Sequence, residues 1–386
     1  MSKKRRARLL LIVFLICFCV LAPAPHAEAP NTSPLHVSAQ AACLIEADSG
    51  SCVYQKNAGL PLPMASTTKL MTALVALQMA SADRIICVDE RAVGVEGSSI
   101  YLCEGEKLTL EQLLYALLLE SANDAATAIA IGLAGSVEAF ADCMNQTAKD
   151  LGLVATHFTN PHGLDDEAHY TTARELAKIA QSALRFPLLR KIVSTRKTTI
   201  PSCDGTGTRL LVNHNKLLRI YDGCIGMKTG FTKRSGRCLV SAAERNGVTL
   251  IAVTINAPDD WQDHTSMLNY GFSRFQSHKL ADSGEWKIPL PLVGGKESYV
   301  MLCNNRTLQV TLPVNASPIT YTVEHRRFEF AGITEGEQLG RILFWSDTND
   351  DGKAEIIGSI PLYAMYTVES LPPPKGFWNF WKELFT

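Results

Sequence analysis

The sequence predicts an α/β (α+β) protein in two parts, a helix-rich body followed by a small all-β domain. Three observations predict it. Before about Phe275, apolar residues at helical spacing alternate with short strand-like runs. Asn246-Gly247, a strong two-residue hairpin signal, joins Cys238–Ala243 to the apolar run Val248–Ile255. Beyond Phe275 the helical pattern stops, and Tyr299–Leu302, Leu308–Leu312, Ile319–Val323, Arg341–Trp345 and Glu355–Ile360 read as strands between turns. With 386 residues and 46% hydrophobic content, the chain is long enough for two domains and a sizeable core.

The N-terminus reads as a secretory signal over residues 1–29. A basic segment through Arg8 precedes the apolar run Leu9–Ala22, and Ala27-Glu28-Ala29 supplies the small-x-small cleavage site. The run is short of the ~20 residues that a bilayer span needs, which leaves an uncleaved anchor as the alternative. Those 29 residues carry a net charge of +4, so the whole-chain −1 becomes −5 without them. A mildly acidic body with no basic stripe gives no sign of a nucleic-acid partner. Cys17 and Cys19 lie in the signal. The other nine of the 11 cysteines are scattered, with no C-x-x-C pair or neighbouring histidine, so no metal is expected and disulfide pairing stays open.

After a linker, the body is expected over residues 34–276. Ala41–Glu46 and Cys52–Gln55 read as a hairpin around Ala47-Asp48-Ser49-Gly50. A helix then opens at Ala65-Ser66-Thr67-Thr68-Lys69-Leu70, with Leu70, Met71, Leu74 and Leu77 at buried-helix spacing. Ala92–Glu106 reads as short strands and turns. Thr109-x-x-Gln112 resembles a capping box for a helix through Leu110–Leu118, which breaks at Ser121-Ala122-Asn123 before an alanine-rich helix. Helices follow over about Val137–Leu151 and Thr172–Leu184, with the turn cluster Thr159–Leu164 between them. The β domain is expected over 277–370. Asp347–Gly352 resembles a calcium loop but puts Gly358 where a bidentate glutamate belongs, so it reads as a hairpin turn.

The final stretch, 371–386, follows Pro372-Pro373-Pro374. At ~100° per residue, Phe377, Trp378, Phe380, Trp381, Leu384 and Phe385 share one arc, with Asn379, Lys382, Glu383 and Thr386 opposite. The segment is too short to span a bilayer, but its aromatics suit the membrane interface. A helix docked on the protein's own surface is the alternative.

Chemistry enters at Ser66 and Lys69. Three residues apart on a helix, the two side chains share a face, so the amine reaches the hydroxyl. A serine hydroxyl becomes a nucleophile when a neighbouring base takes its proton, and an amine kept neutral by burial can do so. Two further motifs follow in order. Ser121-Ala122-Asn123 lies 55 residues on, and Lys228-Thr229-Gly230 lies 107 beyond that. A polar loop between apolar helices, then a lysine on a strand, complete the set.

With these three motifs the chain resembles the low-molecular-weight penicillin-binding proteins, specifically the serine-type D-alanyl-D-alanine carboxypeptidases. Asn160-Pro-His-Gly-Leu164, Tyr170-Thr-Thr-Ala-Arg174 and Asn213-His-Asn-Lys216 extend the resemblance, as do the exported N-terminus, the β domain and the tail. The resemblance implies a penicillin-binding protein/β-lactamase-like transpeptidase domain, with a central antiparallel sheet flanked by helices. It implies that Ser66 attacks the D-Ala-D-Ala peptide bond, Lys69 accepts its proton and Ser121 relays that proton to the leaving amine. Asn123 would hold the substrate amide, Lys228 and Thr229 the terminal carboxylate, and Gly230 would admit the substrate backbone. The amides of Ser66 and Phe231 would form the oxyanion hole.

No cofactor is implied. The partners implied are the peptidoglycan stem peptide, β-lactam antibiotics and, through Phe377, Trp378, Phe380 and Trp381, the extracytoplasmic membrane surface. One departure is that Ala257–His264 lacks the arginine some relatives place there, leaving the carboxylate to Lys228 and Thr229, with Arg234 as a candidate helper. A β-lactamase would need a Glu-x-x-x-Asn base near 160–170, and Glu167 lacks the asparagine. A β-lactam sensor without turnover and a crosslink endopeptidase remain the other readings.

Overall fold

The computed structural model describes residues 35–203, 205–347 and 352–372. The expected signal, the aromatic tail and most of the Asp347–Gly352 turn lie outside the described residues.

Strand β1 (Ala41–Glu46) is buried at all six positions, because both faces of its sheet are covered. It turns at Ala47–Gly50 into β2 (Cys52–Lys56), as expected. The Glu46 carboxylate holds that turn by accepting from the amides of Asp48 and Ser49 at 3.1 and 2.7 Å.

Ser66 sits one turn earlier in character than expected. Ala65–Thr68 is a 3₁₀ turn, and helix α1 (Lys69–Met79) begins only at the lysine. Residues 92–106 form no strand; the short pair β3 (Ile85–Cys87) and β4 (Lys107–Thr109) flanks them instead. The capping box is made in full: Thr109 Oγ1 accepts the Gln112 amide at 3.2 Å, and Gln112 Oε1 accepts the Thr109 amide at 2.8 Å. It starts α2 (Leu110–Tyr115), which widens into a π turn at Ala116–Glu120 just before the Ser-Ala-Asn loop.

Helices α3 (Asn123–Ala134), α4 (Val137–Asp150) and α5 (Ala173–Leu184) follow close to their expected bounds. Helix α6 (Pro187–Ser194), with proline in its first turn, was not anticipated. The hairpin of β5 (Lys197–Pro201) and β6 (Thr208–Val212) and the short α7 (Leu217–Ile220) lead to β7 (Cys224–Thr232). Then come β8 (Gly236–Arg245), the Asn246-Gly247 turn with both residues at positive φ, and β9 (Val248–Ile255). Helix α8 (Asp260–Phe272) was also not anticipated; its mix of Asp260, Asp263 and His264 among apolar residues hid the pattern.

The five strands pair antiparallel in the order β2-β1-β9-β8-β7, which puts β7 and Lys228 at an edge as expected. Alternate residues serve opposite layers. Cys43, Ile45, Val240, Ile251 and Val253 join the main core with α1–α6, while Leu44 and Leu250 meet α8 at Gly271. His264 of α8 is fully buried on that side, with Nε2 3.0 Å from Thr254 Oγ1 and Nδ1 bonded to Ser241 Oγ.

Among the described residues, every element beyond α8 is a strand. β10 (Phe275–Ala281), β11 (Lys287–Val293), β12 (Tyr299–Cys303), β13 (Leu308–Pro313), β14 (Thr320–His325), β15 (Glu329–Phe330), β16 (Gln338–Ser346) and β17 (Glu355–Ala364) follow in turn. Six form one sheet, β14-β16-β17-β12-β11-β15, and β10 pairs with β13. They enclose a separate core of Leu290, Val300, Leu302, Ile342, Ile360 and Leu362.

Phe140 of α4 is fully enclosed in the main core. Phe140→Ala should therefore cost about 3–5 kcal/mol. Chemical denaturation followed by far-UV circular dichroism checks this.

Candidate active site

The 3₁₀ turn is pinned by its own side chains. Thr67 Oγ1 donates to Met64 O at 2.6 Å, and Thr68 Oγ1 donates to Ala65 O at 2.7 Å. Thr68 Oγ1 also lies 2.8 Å from Nε2 of buried His169, whose Nδ1 accepts the Thr159 amide at 3.1 Å. The Asn160–Leu164 loop packs directly beneath. Gly163 has φ +85°, and a Cβ there would stand 2.0 Å from Ala65 O, so only glycine fits. Thr72 of α1 ties the same loop by donating to Pro161 O at 2.6 Å. On the other flank, a Cβ at Gly230 would stand 3.1 Å from the amide nitrogens of both Ser66 and Thr67. The close approach at Gly230 is thus made by the chain's own turn, which sets the Ser66 amide beside β7.

Lys69 is fully buried, yet Ser66 is half-exposed. Lys69 Nζ bonds three oxygens: Ser66 Oγ at 2.9 Å, Asn123 Oδ1 at 2.7 Å and His162 O at 2.6 Å. Burial pushes its pKa well below the usual lysine range, the neighbouring Lys228 pushes the same way, and Asp124 opposes them. Asn123 is fixed from the far side, its Nδ2 donating to Glu96 O at 2.6 Å and its amide to Ser98 O at 2.7 Å. Asp124 spends its carboxylate on Ser99 Oγ at 2.6 Å and on the amides of Ile100 and Leu102, both at 3.1 Å.

Ser121 caps the π turn in the left-handed region, at φ 61°, and is almost fully buried. Asn123, rather than Ser121, makes the direct bond to Lys69. Lys228 follows a bulge in β7 at Cys224–Gly226. Met227 there has φ 101°, and a Cβ at Gly226 would stand 2.1 Å from Val193 O of α6. Lys228 Nζ donates to Thr229 O at 2.7 Å, and burial lowers its pKa to about 7. Thr229 and Gly230 are half-buried, and Phe231 is 67% exposed. Arg234 is exposed in the turn after β7, while Arg237 is held by Asp260 at 2.8 and 2.9 Å.

The sequence reading missed the part played by His162. Its carbonyl holds Lys69, and burial, then Lys69, then His169 lower its ring pKa to about 3. The ring of His169 falls to about 4, chiefly through burial. Both rings are neutral at neutral pH. The Asn-Pro-His-Gly-Leu turn was the available signal. One cluster of potential metal ligands occurs among the described residues, Cys103, Glu106 and Cys203, with ligand atoms within 4.8 Å. It does not suit a cation: Arg209 donates to both Glu106 oxygens, at 2.6 and 2.9 Å, and the Cys103 amide donates to the second at 3.1 Å.

Gly163→Ala should push the Ala65 carbonyl and so shift Ser66. A displacement of about 1 Å costs about 100-fold in reactivity at a positioned nucleophile. The rate of Ser66 acylation by a fluorescent penicillin, measured with a melting curve on the same sample, checks this.

The chain is similar to known proteins along most of its length. A profile of the D-alanyl-D-alanine carboxypeptidase family matches residues 27–259. D-alanyl-D-alanine carboxypeptidase DacF of Bacillus subtilis is 30% identical over 373 residues, covering 94% of each chain. D-alanyl-D-alanine carboxypeptidase DacC of Escherichia coli is 30% identical over 369 residues, covering 91% of this chain and 89% of its own. The crystal structure of penicillin binding protein 5 from Haemophilus influenzae superposes with a TM-score of 0.65 at 27% identity, over 88% of this chain and 99% of that one. The fold is that of the penicillin-binding transpeptidases, and the chain belongs to the D-alanyl-D-alanine carboxypeptidase family of serine-type peptidases.

Proposed function

We propose that this protein removes the terminal D-alanine from peptidoglycan stem pentapeptides through an acyl-enzyme on Ser66, and that β-lactams acylate the same serine. The observation that carries the reading is the bonding of Lys69. A neutral amine has two N–H donors and one lone pair. Asn123 Oδ1 and His162 O are acceptors only, so they engage both donors and leave the lone pair for the Ser66 hydroxyl. Lys69 therefore takes the proton as Ser66 Oγ bonds to the carbonyl carbon of the D-Ala-D-Ala link. The amides of Ser66 and Phe231 receive the oxyanion.

Ser121 passes the proton to the departing D-alanine nitrogen as the C–N bond breaks. Asn123 holds the substrate amide, and Lys228 with Thr229 binds the terminal carboxylate. Water then hydrolyses the ester. In a β-lactam the leaving group stays tethered and the ester persists. The reading also takes residues 1–29 as an export signal, 34–276 as the catalytic domain, 277–370 as the β domain and 371–386 as a membrane-associating tail. The site then works outside the cytoplasmic membrane.

The test is D-alanine release from diacetyl-Lys-D-Ala-D-Ala by the chain from Pro30 onward, beside Ser66→Ala. Release and a penicillin mass adduct are both expected to vanish in the variant. A stable adduct without release would favour a sensor, and neither signal from a folded sample would overturn the reading.

A pH dependence follows from Lys228. It carries charge below its pKa of about 7 and loses it above. The KM for the peptide should therefore rise as pH climbs through about 7, with kcat changing less. In Lys228→Ala, KM should be high and nearly flat across that range, and steady-state kinetics check both.

A further inference from the structure

One face of the small β unit is apolar on its outer side. Strand β11 alternates as folding requires, with Leu290 and Leu292 pointing into the core. The opposite positions, Pro289, Pro291 and Val293, are exposed, and they are apolar too. Val293 pairs with Phe330 in β15, and Phe328 packs edge-on against Phe330 with ring centroids 5.7 Å apart. Val293 is 48% exposed, Phe328 49%, Phe330 66% and Leu371 54%. Leu371 lies beside Val293 along the backbone, its amide donating to Gly294 O at 2.7 Å. Burying Val293, Phe328 and Phe330 is not what holds this sheet together, so folding alone does not account for them.

Two observations say what covers the face. The first is where the chain goes. From Leu371, at the rim of the patch, it runs on into residues 373–386, which contain Phe377, Trp378, Phe380 and Trp381. The second is the border. His325, Arg326 and Arg327 adjoin Phe328 and are all exposed. Arg326 is paired with Glu329 at 2.9 Å, which leaves Arg327 as the border cation that suits anionic headgroups. Strand addition along β11 is disfavoured. The Leu292 amide donates toward β12, so the nitrogens of Pro289 and Pro291 point to the opposite side, where β15 covers only Leu292 and Val293 and proline offers no donor.

We propose that the outer face formed by Val293, Phe328, Phe330 and Leu371 lies in the membrane interface as a second contact beside the C-terminal tail. This rests on the membrane reading of the tail. A single amphipathic segment anchors a protein but leaves it free to swivel. A second apolar contact next to the anchor fixes how the body stands on the bilayer, and with it the direction in which the Ser66 cleft faces the wall.

The test is partition of the chain from Pro30 to Thr386, which keeps all of the described residues and the tail sequence, onto phosphatidylglycerol–phosphatidylcholine vesicles. Wild type is compared with F328S/F330S and with W378S/W381S. All four residues named lie on the apolar face or in the tail, so penicillin acylation serves as the check that each variant is folded. Each pair should lower partition about tenfold. Loss in W378S/W381S with wild-type binding by F328S/F330S would overturn this inference and leave the tail reading standing. Tighter binding by F328S/F330S would mean that the tail covers the face in solution, and would overturn it too. No partition by the wild type would remove the tail reading and this inference together.

Discussion

The structure depends on keeping two lysine side chains, Lys69 and Lys228, out of water and beside one another. An ammonium buried without a counterion is costly, so the amines respond by losing affinity for protons. The surroundings of Lys69 are arranged so that this loss is not undone. Its three partners are a hydroxyl, an amide oxygen and a backbone carbonyl, none of them charged. A carboxylate is near enough to matter electrically, but Asp124 has its oxygens committed to Ser99 and the amides of Ile100 and Leu102. Had Asp124 bonded Lys69 directly, the pair would be an ordinary ion pair and the amine no base.

Holding that arrangement requires backbone conformations that ordinary sequences avoid. Each of the three motifs has a non-glycine residue in the left-handed region at or just before it: Ala65 at φ 47°, Ser121 at φ 61° and Met227 at φ 101°. Such residues cost of order 1–3 kcal/mol each and persist only where the surroundings over-determine them. The over-determination is visible. Thr67, Thr68 and the Asn160–Leu164 loop fix the first, the π turn of α2 delivers the second, and the β7 bulge against Val193 fixes the third. Gly163 and Gly230 complete the scheme by letting two backbones close on the Ser66 turn from opposite sides.

These facts explain what was legible in the sequence. The hairpins at Ala47–Gly50 and Asn246-Gly247, the capping box at Thr109 and the helices with clear apolar spacing were readable because each is decided by nearby residues. Helix α8 was not, since Asp263 and His264 look like surface residues and are buried only because Ser38, before β1, and Ser241 and Thr254, on β8 and β9, supply their partners. At the site, the residue types and their order were readable, and so was the pairing of Ser66 with Lys69. The contribution of His162 was not. It is made by a backbone carbonyl, which any residue could offer, and only the fold brings residues 93 positions apart within 2.6 Å. The same holds for Gly230, whose small size serves the meeting of two chain segments.

The coupling between the two lysines gives the proposed reaction an order of events. In the free protein, burial alone brings Lys228 to a pKa of about 7, so its charge is only partly present at neutral pH. A substrate carboxylate arriving at Lys228 and Thr229 supplies the missing counterion and favours the ammonium form. The restored positive charge then acts on Lys69, which Lys228 already pushes toward neutrality. Binding of the correct anionic terminus thus draws a proton onto the lysine that holds it while keeping the proton off the lysine that must act as base. A peptide lacking that carboxylate would leave Lys228 partly neutral and Lys69 less strongly biased. Recognition of the substrate's end and activation of the nucleophile are then parts of a single electrostatic event.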